Sequence, residues 1–195
     1  MEGKVCIVTG SSSGIGEGIA LMLAKRGAFV TLCGRDLARL QTVQTSCVEA
    51  SGGNSQRFLT VAGDVTEPSV RKDIVQKTVD KFGRLDVLIP NAGVAAKTSI
   101  YNATEESYDQ IMNLNCKSTF FLIQQALPHL ELSQGNVVVV SSYASLCVGT
   151  THNAIYAMSK AALDHMVRCL AVDLGPKNIR VNSVNPGLIP TPMMR

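Results

Sequence analysis

A doubly wound α/β domain, a parallel sheet with helices on both faces, is the fold class that three features of the sequence predict. Six short β-rich runs alternate with five longer helix-like segments. Several of the runs are continuously apolar, as in Val137-Val138-Val139-Val140, which is the pattern of a strand buried on both faces. The 195 residues show no composition break, internal repeat or low-complexity tract, so a single domain is expected over 1–195.

The elements follow in order. A first strand at Val5–Val8 leads through a glycine-rich turn into a helix over 15–26. A second at Phe29–Leu32 precedes a helix over 36–51, with Asp36 placed to cap it before Leu37-Ala38-Arg39-Leu40. A third at Phe58–Val61 leads through Ala62-Gly63 to a helix over 67–82. Val87–Pro90 supplies the fourth strand and 104–132 the next helix. Within that helix Asn115 interrupts the apolar series Ile111, Met112, Leu114, Phe120, Phe121, which marks either a satisfied core amide or a helix irregularity. Val137–Ser141, a helix over 154–174 and Ile179–Val184 complete the series, and Pro186-Gly187 then breaks the chain.

Composition excludes several classes. The 17% charged residues and 46% hydrophobic residues fit a globular chain, not a disordered one. The net charge of +3 is interspersed, without the concentrated basic face of a nucleic-acid binder. No run of 18 apolar residues exists and the first strand starts almost at once, so no membrane span or signal peptide is expected and a cytoplasmic location is. A peroxisomal address at a C-terminus is left open. Six cysteines without a CxxC pair, mostly in apolar runs, read as reduced core thiols. His129, His152 and His165 lack metal-like spacing, so no metal is expected.

Two groups of residues carry chemistry. The turn Gly10-Ser11-Ser12-Ser13-Gly14-Ile15-Gly16 lies between a strand and a helix. Such glycines let backbone approach a pyrophosphate, and a helix N-terminus offers free N–H groups; a glycine cluster alone would be only a turn. Tyr156 and Lys160 are four apart on one helix face, where an ammonium favours ionisation of a phenol whose reference pKa is about 10. Ser141 and Ser142 emerge at the carboxyl end of the Val137–Val140 strand, the edge where open α/β sheets bind ligands.

The pattern Thr9-Gly10-x-x-x-Gly14-x-Gly16 resembles the opening motif of the short-chain dehydrogenase/reductase family. The resemblance extends over nearly the whole chain, with Asp64-Val65, Asn91-Ala92-Gly93, Asn115, Ser142, Tyr156-x-x-x-Lys160, Asn185-Pro186-Gly187 and Thr191 in the family's order. Pro90 departs from it, standing where a second Asn is common. The resemblance implies that Ser142, Tyr156, Lys160 and Asn115 are catalytic. Tyr156 would be the proton donor or acceptor, Ser142 would bond the substrate oxygen, and Asn115 would hold a water linked to Lys160.

For the cofactor it implies that Gly10, Ser12, Ser13, Gly14, Ile15 and Gly16 cradle the diphosphate. Asp64 and Val65 would hold adenine, with the alternative that Asp64 caps the helix after Thr66. Asn91, Ala92 and Gly93 would line the cofactor path. Tyr156, Lys160, Pro186, Gly187 and Thr191 would meet the nicotinamide half or the diphosphate. The family's deciding acidic position after the second strand is Gly34 here, with Arg35 next, so NADP is expected rather than NAD. Asp36 lies twenty residues past Gly16 and would be the NAD acid by counting alone.

The implied function is an NADP-dependent oxidoreductase acting on a small-molecule carbonyl or secondary alcohol. The alternative is a nucleotide-binding fragment or isoform without effective turnover. Family members continue past the position of Arg195 with a seventh strand and a final helix. An uncovered apolar surface and an unpaired edge are therefore expected beside Val181 and Val184, with weak turnover for these residues alone. The helix face Ala157, Ala161, Ala162, Met166, Leu170 is expected either to join a homo-oligomer or to pack on its own sheet.

Overall fold

The computed structural model describes residues 1–96, 98–148 and 153–191, so His152 lies outside the described residues. Six parallel strands form one sheet in the order β3-β2-β1-β4-β5-β6. They are β1 Val5–Thr9, β2 Phe29–Gly34, β3 Phe58–Ala62, β4 Val87–Ile89, β5 Asn136–Val140 and β6 Arg180–Val184. Between them run α1 Gly14–Lys25, α2 Leu37–Ala50, α3 Pro68–Phe82, α4 Glu105–Met112, α5 Ser118–Ser133 and α6 Ala154–Leu174. The expected doubly wound fold is present, with strand order reversing direction between β1 and β4.

Two apolar layers sandwich the sheet. Ile7, Leu88, Val137 and Val139 face α3, α5 and α6 through Ile74, Ile123, Leu130 and Leu163. Val8, Val30 and Leu32 face α1 and α2 through Ala20, Leu23, Leu40 and Cys47. Asp36 caps α2 as expected, its carboxylate accepting the Arg39 N–H at 3.1 Å. No helix among the described residues is long and apolar enough to cross a membrane.

Four expectations need correction. The helix over 104–132 is interrupted by a π-helical turn at Asn113–Lys117, so Asn115 marks an irregularity. β5 is not buried on both faces: Asn136 and Val138 are half-buried, because no described helix covers the α1-side face over β5 and β6. β6, last in the strand order, is the edge strand expected beside Val181 and Val184, with Val184 exposed and Val181 buried. On α6 the inward stripe is Ile155, Ser159, Lys160, Leu163, Asp164 and Val167; of the expected face, Met166 and Leu170 pack against the core of the sheet while Ala161 and Ala162 are exposed. Finally, Cys147 and Cys169 are exposed, since the apolar runs holding them lie in a surface segment and on the outer face of α6. Cys6, Cys33 and Cys47 are buried, and burial pushes the Cys47 thiol up to about 11.

One buried ion cluster ties the bottom of the sheet. Asp86 accepts from the Val5 N–H (3.0 Å), Lys4 Nζ (3.1 Å) and Arg84 Nη2 (2.6 Å). Burial pushes the Asp86 carboxyl up, but the Arg84, Val5 and Lys4 hydrogen bonds outweigh it and hold the carboxyl below its usual value. A depressed carboxyl stabilises the fold above the unfolded-state pKa, and the contribution disappears as pH falls through the folded value. Asp86→Ala is expected to cost about 2 kcal/mol at neutral pH, a moderate figure because Lys4 and Arg84 are half-exposed. Urea titrations of both proteins check this: the difference should shrink below about pH 4, and a constant difference down to acid pH would refute it.

Candidate active site

β1 delivers the chain to Gly10, which adopts φ +63°, and α1 starts at Gly14. A Cβ on Gly10 would lie 2.9 Å from Ala92 Cα. One on Gly16 would strike Gly10 O and come within 2.6 Å of Asn91 Nδ2. Neither position accepts a side chain, and the bare backbone leaves a concave turn. Asn91 buttresses it, donating from Nδ2 to Thr9 O (2.9 Å) and Gly10 O (3.2 Å). Thr9 Oγ1 accepts both the Asn91 and Ala92 N–H groups at 3.0 Å. Ser11 is buried and bonded to Cys33, whereas the Ser13 side chain makes no cap bond and leaves the first-turn N–H groups of α1 free.

A cleft of about 250 Å³, open to solvent, runs from this turn across the carboxyl ends of the strands. Gly10, Ser12, Ser13, Gly14 and Ile15 line one end, while Gly16 lies beneath the turn. Gly34 and exposed Arg35 form the side wall, and a Cβ on Gly34 would stand 3.2 Å from Ser12 Oγ. Asp64 and Val65 line the cleft beyond β3. Asp64 does not cap α3, whose cap position is Glu67; its Oδ1 accepts the Thr66 N–H (2.9 Å) and hydroxyl (2.8 Å). Burial pushes this carboxyl up, but the two Thr66 bonds and the Arg35 charge hold it below the usual value. Buried Arg71, which sequence reading missed, fixes the same turn by donating Nη1 to Val65 O and Thr66 O, both at 2.7 Å.

At the other end the ordered groups converge on α6. Lys160 is buried, with Nζ donating to Val140 O at 2.9 Å and lying 5.7 Å from the Tyr156 ring centroid. Burial pushes its pKa down to about 8, against the opposing influence of Cys116 and Asp164. Asn115 is buried in the π-helical turn. Its Oδ1 accepts the Val94 N–H (2.9 Å), and its Nδ2 donates to Val94 O (3.0 Å) and Ser159 Oγ (2.9 Å). Gly93 is pressed between them: a Cβ there would be 3.2 Å from Asn115 Oδ1 and 3.6 Å from Lys160 Nζ.

Ser141, Tyr156, Lys160 and Thr191 line the cleft together with Asn91, Ala92 and Gly93. Ser142 stands one residue behind, half-buried, its Oγ accepting the Ala144 N–H at 3.2 Å. Pro186 and Gly187 also stand outside the cleft wall, with Pro186 O accepting the Tyr143 N–H at 2.9 Å. Tyr143, Leu146, Val148 and Leu188, in the segments after β5 and β6, are exposed. Gly63 and Leu114 line the cleft without having been singled out in the sequence; the strand-end position of Gly63 was the available signal.

A family model described as short chain dehydrogenase matches residues 4–195. Versicolorin reductase 1 of Aspergillus parasiticus is 34% identical over 193 residues, covering 99% of this chain and 72% of that protein. A short-chain dehydrogenase/reductase of unknown function from Caenorhabditis elegans, solved with cofactor, superposes with TM-score 0.92 at 34% identity over 99% of this chain and 72% of that one. A 3-ketoacyl-(acyl-carrier-protein) reductase from Brucella melitensis, complexed with NADH, gives TM-score 0.91 at 29% identity over 99% and 78%. The glycine turn, the Tyr156-Lys160 helix and these likenesses agree: the chain belongs to the short-chain dehydrogenase/reductase family of oxidoreductases.

Proposed function

We propose that the chain interconverts a carbonyl and a secondary alcohol, with NADP(H) as the redox partner. The observation that carries this reading is one cleft with the glycine-rich turn at Gly10–Ile15 at one end and Tyr156 beside buried Lys160 at the other. The residues present fit a dinucleotide, because Gly10 and Gly16 let the turn pack tightly on Ala92 and Asn91 with its backbone facing the cleft, and no side chain among the described residues caps the N-terminus of α1. Ser12, Ser13, Gly14 and Ile15 would hold the diphosphate, Asp64 and Val65 the adenine, and Thr191 the other half. The bound cofactor supplies or accepts the hydride.

Tyr156 gives its hydroxyl proton to the substrate oxygen during reduction and takes it back during oxidation. The Lys160 ammonium, itself buried, stabilises the negative charge that develops on the phenolic oxygen. Ser142 stands one residue behind the cleft wall, but its hydroxyl hydrogen is not used by its Ala144 contact, and the reading gives it the bond to a carbonyl oxygen held beside Tyr156. The Asn115 amide is fully committed to Val94 and Ser159, so the reading gives it the task of holding the π-helical turn. Any water linked to Lys160 there would rest on main-chain oxygens. The free thiols support a reducing compartment such as the cytoplasm, and the exposed Ala161–Ala162 face of α6 supports association between copies.

The preference for NADP over NAD rests on Gly34 and Arg35. An acid at position 34 would crowd Ser12, and Arg35 offers a planar donor fork to a phosphate. NADPH is expected to bind about tenfold or more tighter than NADH, and Arg35→Ala to remove most of that gap. Fluorescence titration of both nucleotides checks it; equal affinities in the unmodified protein would sink the preference. Loss of nicotinamide absorbance against a panel of ketones tests the activity itself.

A further inference from the structure

Behind Lys160, one further turn along α6, a third polar side chain lies on the same face. Asp164 is buried, and its Oδ2 receives Asn185 Nδ2 at 2.7 Å and Ser145 Oγ at 2.5 Å. Asn185 Nδ2 also lies 3.2 Å from Ser142 O and 2.9 Å from Ser145 Oγ. Ser145 Oγ is in turn 2.7 Å from Ser142 O. Three pieces of the site, remote in sequence, therefore meet at one carboxylate: the turn carrying Ser142, the segment leading to Pro186-Gly187, and the helix carrying Tyr156 and Lys160. The Tyr143 N–H bonded to Pro186 O ties the first two pieces directly.

We propose that Asp164 is a positioning residue that locks the Ser142 turn and the Asn185–Gly187 segment onto α6, in register with Tyr156 and Lys160. The kinetic part of this proposal rests on the carbonyl-reduction reading; the geometric part does not. Bonds to a carboxylate are shorter and stronger than neutral ones, which suits a clamp holding a single 3₁₀ turn, Tyr143–Ser145, and the loop after β6. Burial pushes the Asp164 carboxyl up, but hydrogen bonds led by that of the Ser145 hydroxyl outweigh it and hold the carboxyl below its usual value, so the clamp stays charged. Its Oδ1 has no hydrogen-bond partner among the described residues. An amide nitrogen at that point would displace no bond, so Asn at 164 can keep both contacts of Oδ2. The charge also acts favourably on Lys160, whose other titratable neighbours are Cys116 from the π-helical turn and Tyr156 on its own helix.

The test compares Asp164→Ala, Asp164→Asn and Ser145→Ala by hydrogen exchange and steady-state kinetics. In Asp164→Ala, amide exchange over 142–148 and 185–188 should rise about tenfold, with β1 to β3 unchanged. At saturating NADPH, kcat should fall about tenfold while the KM for NADPH stays within about threefold. Asp164→Asn should restore both to within about threefold of the native protein, and Ser145→Ala should raise the same exchange to a smaller extent. Unchanged exchange, exchange rising equally through β1 to β3, a KM for NADPH that rises as much as kcat falls, or no recovery with Asn would each overturn the proposal. If Asp164→Ala does not fold, selective exchange in Ser145→Ala decides it. Should the native protein bind no nicotinamide nucleotide and reduce no carbonyl, the functional reading fails while the exchange experiment still decides the clamp.

Discussion

Tyr156→Phe is expected to lower carbonyl reduction by about 10²–10⁴-fold, the range over which a positioned acid contributes, with NADPH affinity almost unchanged. The substitution removes one oxygen and leaves the ring, so its packing 5.7 Å from Lys160 Nζ survives. Lys160 keeps its bond to Val140 O, and nothing in the glycine turn is touched. Binding and turnover should therefore separate cleanly. Titration of NADPH alongside initial rates on the same preparation makes the comparison. A variant retaining more than about a tenth of the native rate would show that another group supplies the proton.

Gly16→Val is expected to weaken dinucleotide binding about 100-fold or more, the cost of deforming a turn whose backbone meets the ligand. The first added carbon already strikes Gly10 O and lies 2.8 Å from Gly10 C, both main-chain atoms that yield only if the whole turn moves. Gly18, two residues on in α1, supplies the contrast. It is exposed, with nothing within 4 Å of a Cβ, so Gly18→Ala should stabilise the fold by about 0.5–1 kcal/mol and leave binding alone. Calorimetric titration with NADPH and thermal melts on both variants check the pair. Native-like affinity in Gly16→Val would refute the assignment of the turn as the diphosphate cradle.

The sheet was legible because its strands are short, apolar and punctuated by glycine, and because period and length agree for each. Tyr156 and Lys160 were legible for a local reason: four residues on one helix fix a shared face whatever the helix packs against. What escaped the sequence depends on relations between distant segments. The half-burial of Val138 follows from which helix lies over β5, a fact absent from the Val137–Val140 run itself. The π-helical turn at Asn115 is accompanied by bonds to Val94 and Ser159, 21 and 44 residues away. Arg71 reads as a helix-surface cation, yet its guanidinium serves the turn after β3. Ser141 and Ser142 are indistinguishable by pattern; only the backbone course sends the first to the cleft wall and the second into the following turn.

Tyr156 and Lys160 sit on a 21-residue helix packed against the core, whereas Leu146, Val148 and Leu188 occupy loops and are largely free of packing. Substitutions at such exposed positions change folding energy little. Inherited variation in those loops can therefore be sampled by natural selection without eroding the scaffold beneath. On the proposed function, descendants of one ancestor could change those loops while Tyr156 and Lys160 never leave their helix. The geometry thus separates what must stay fixed from what is free to diversify.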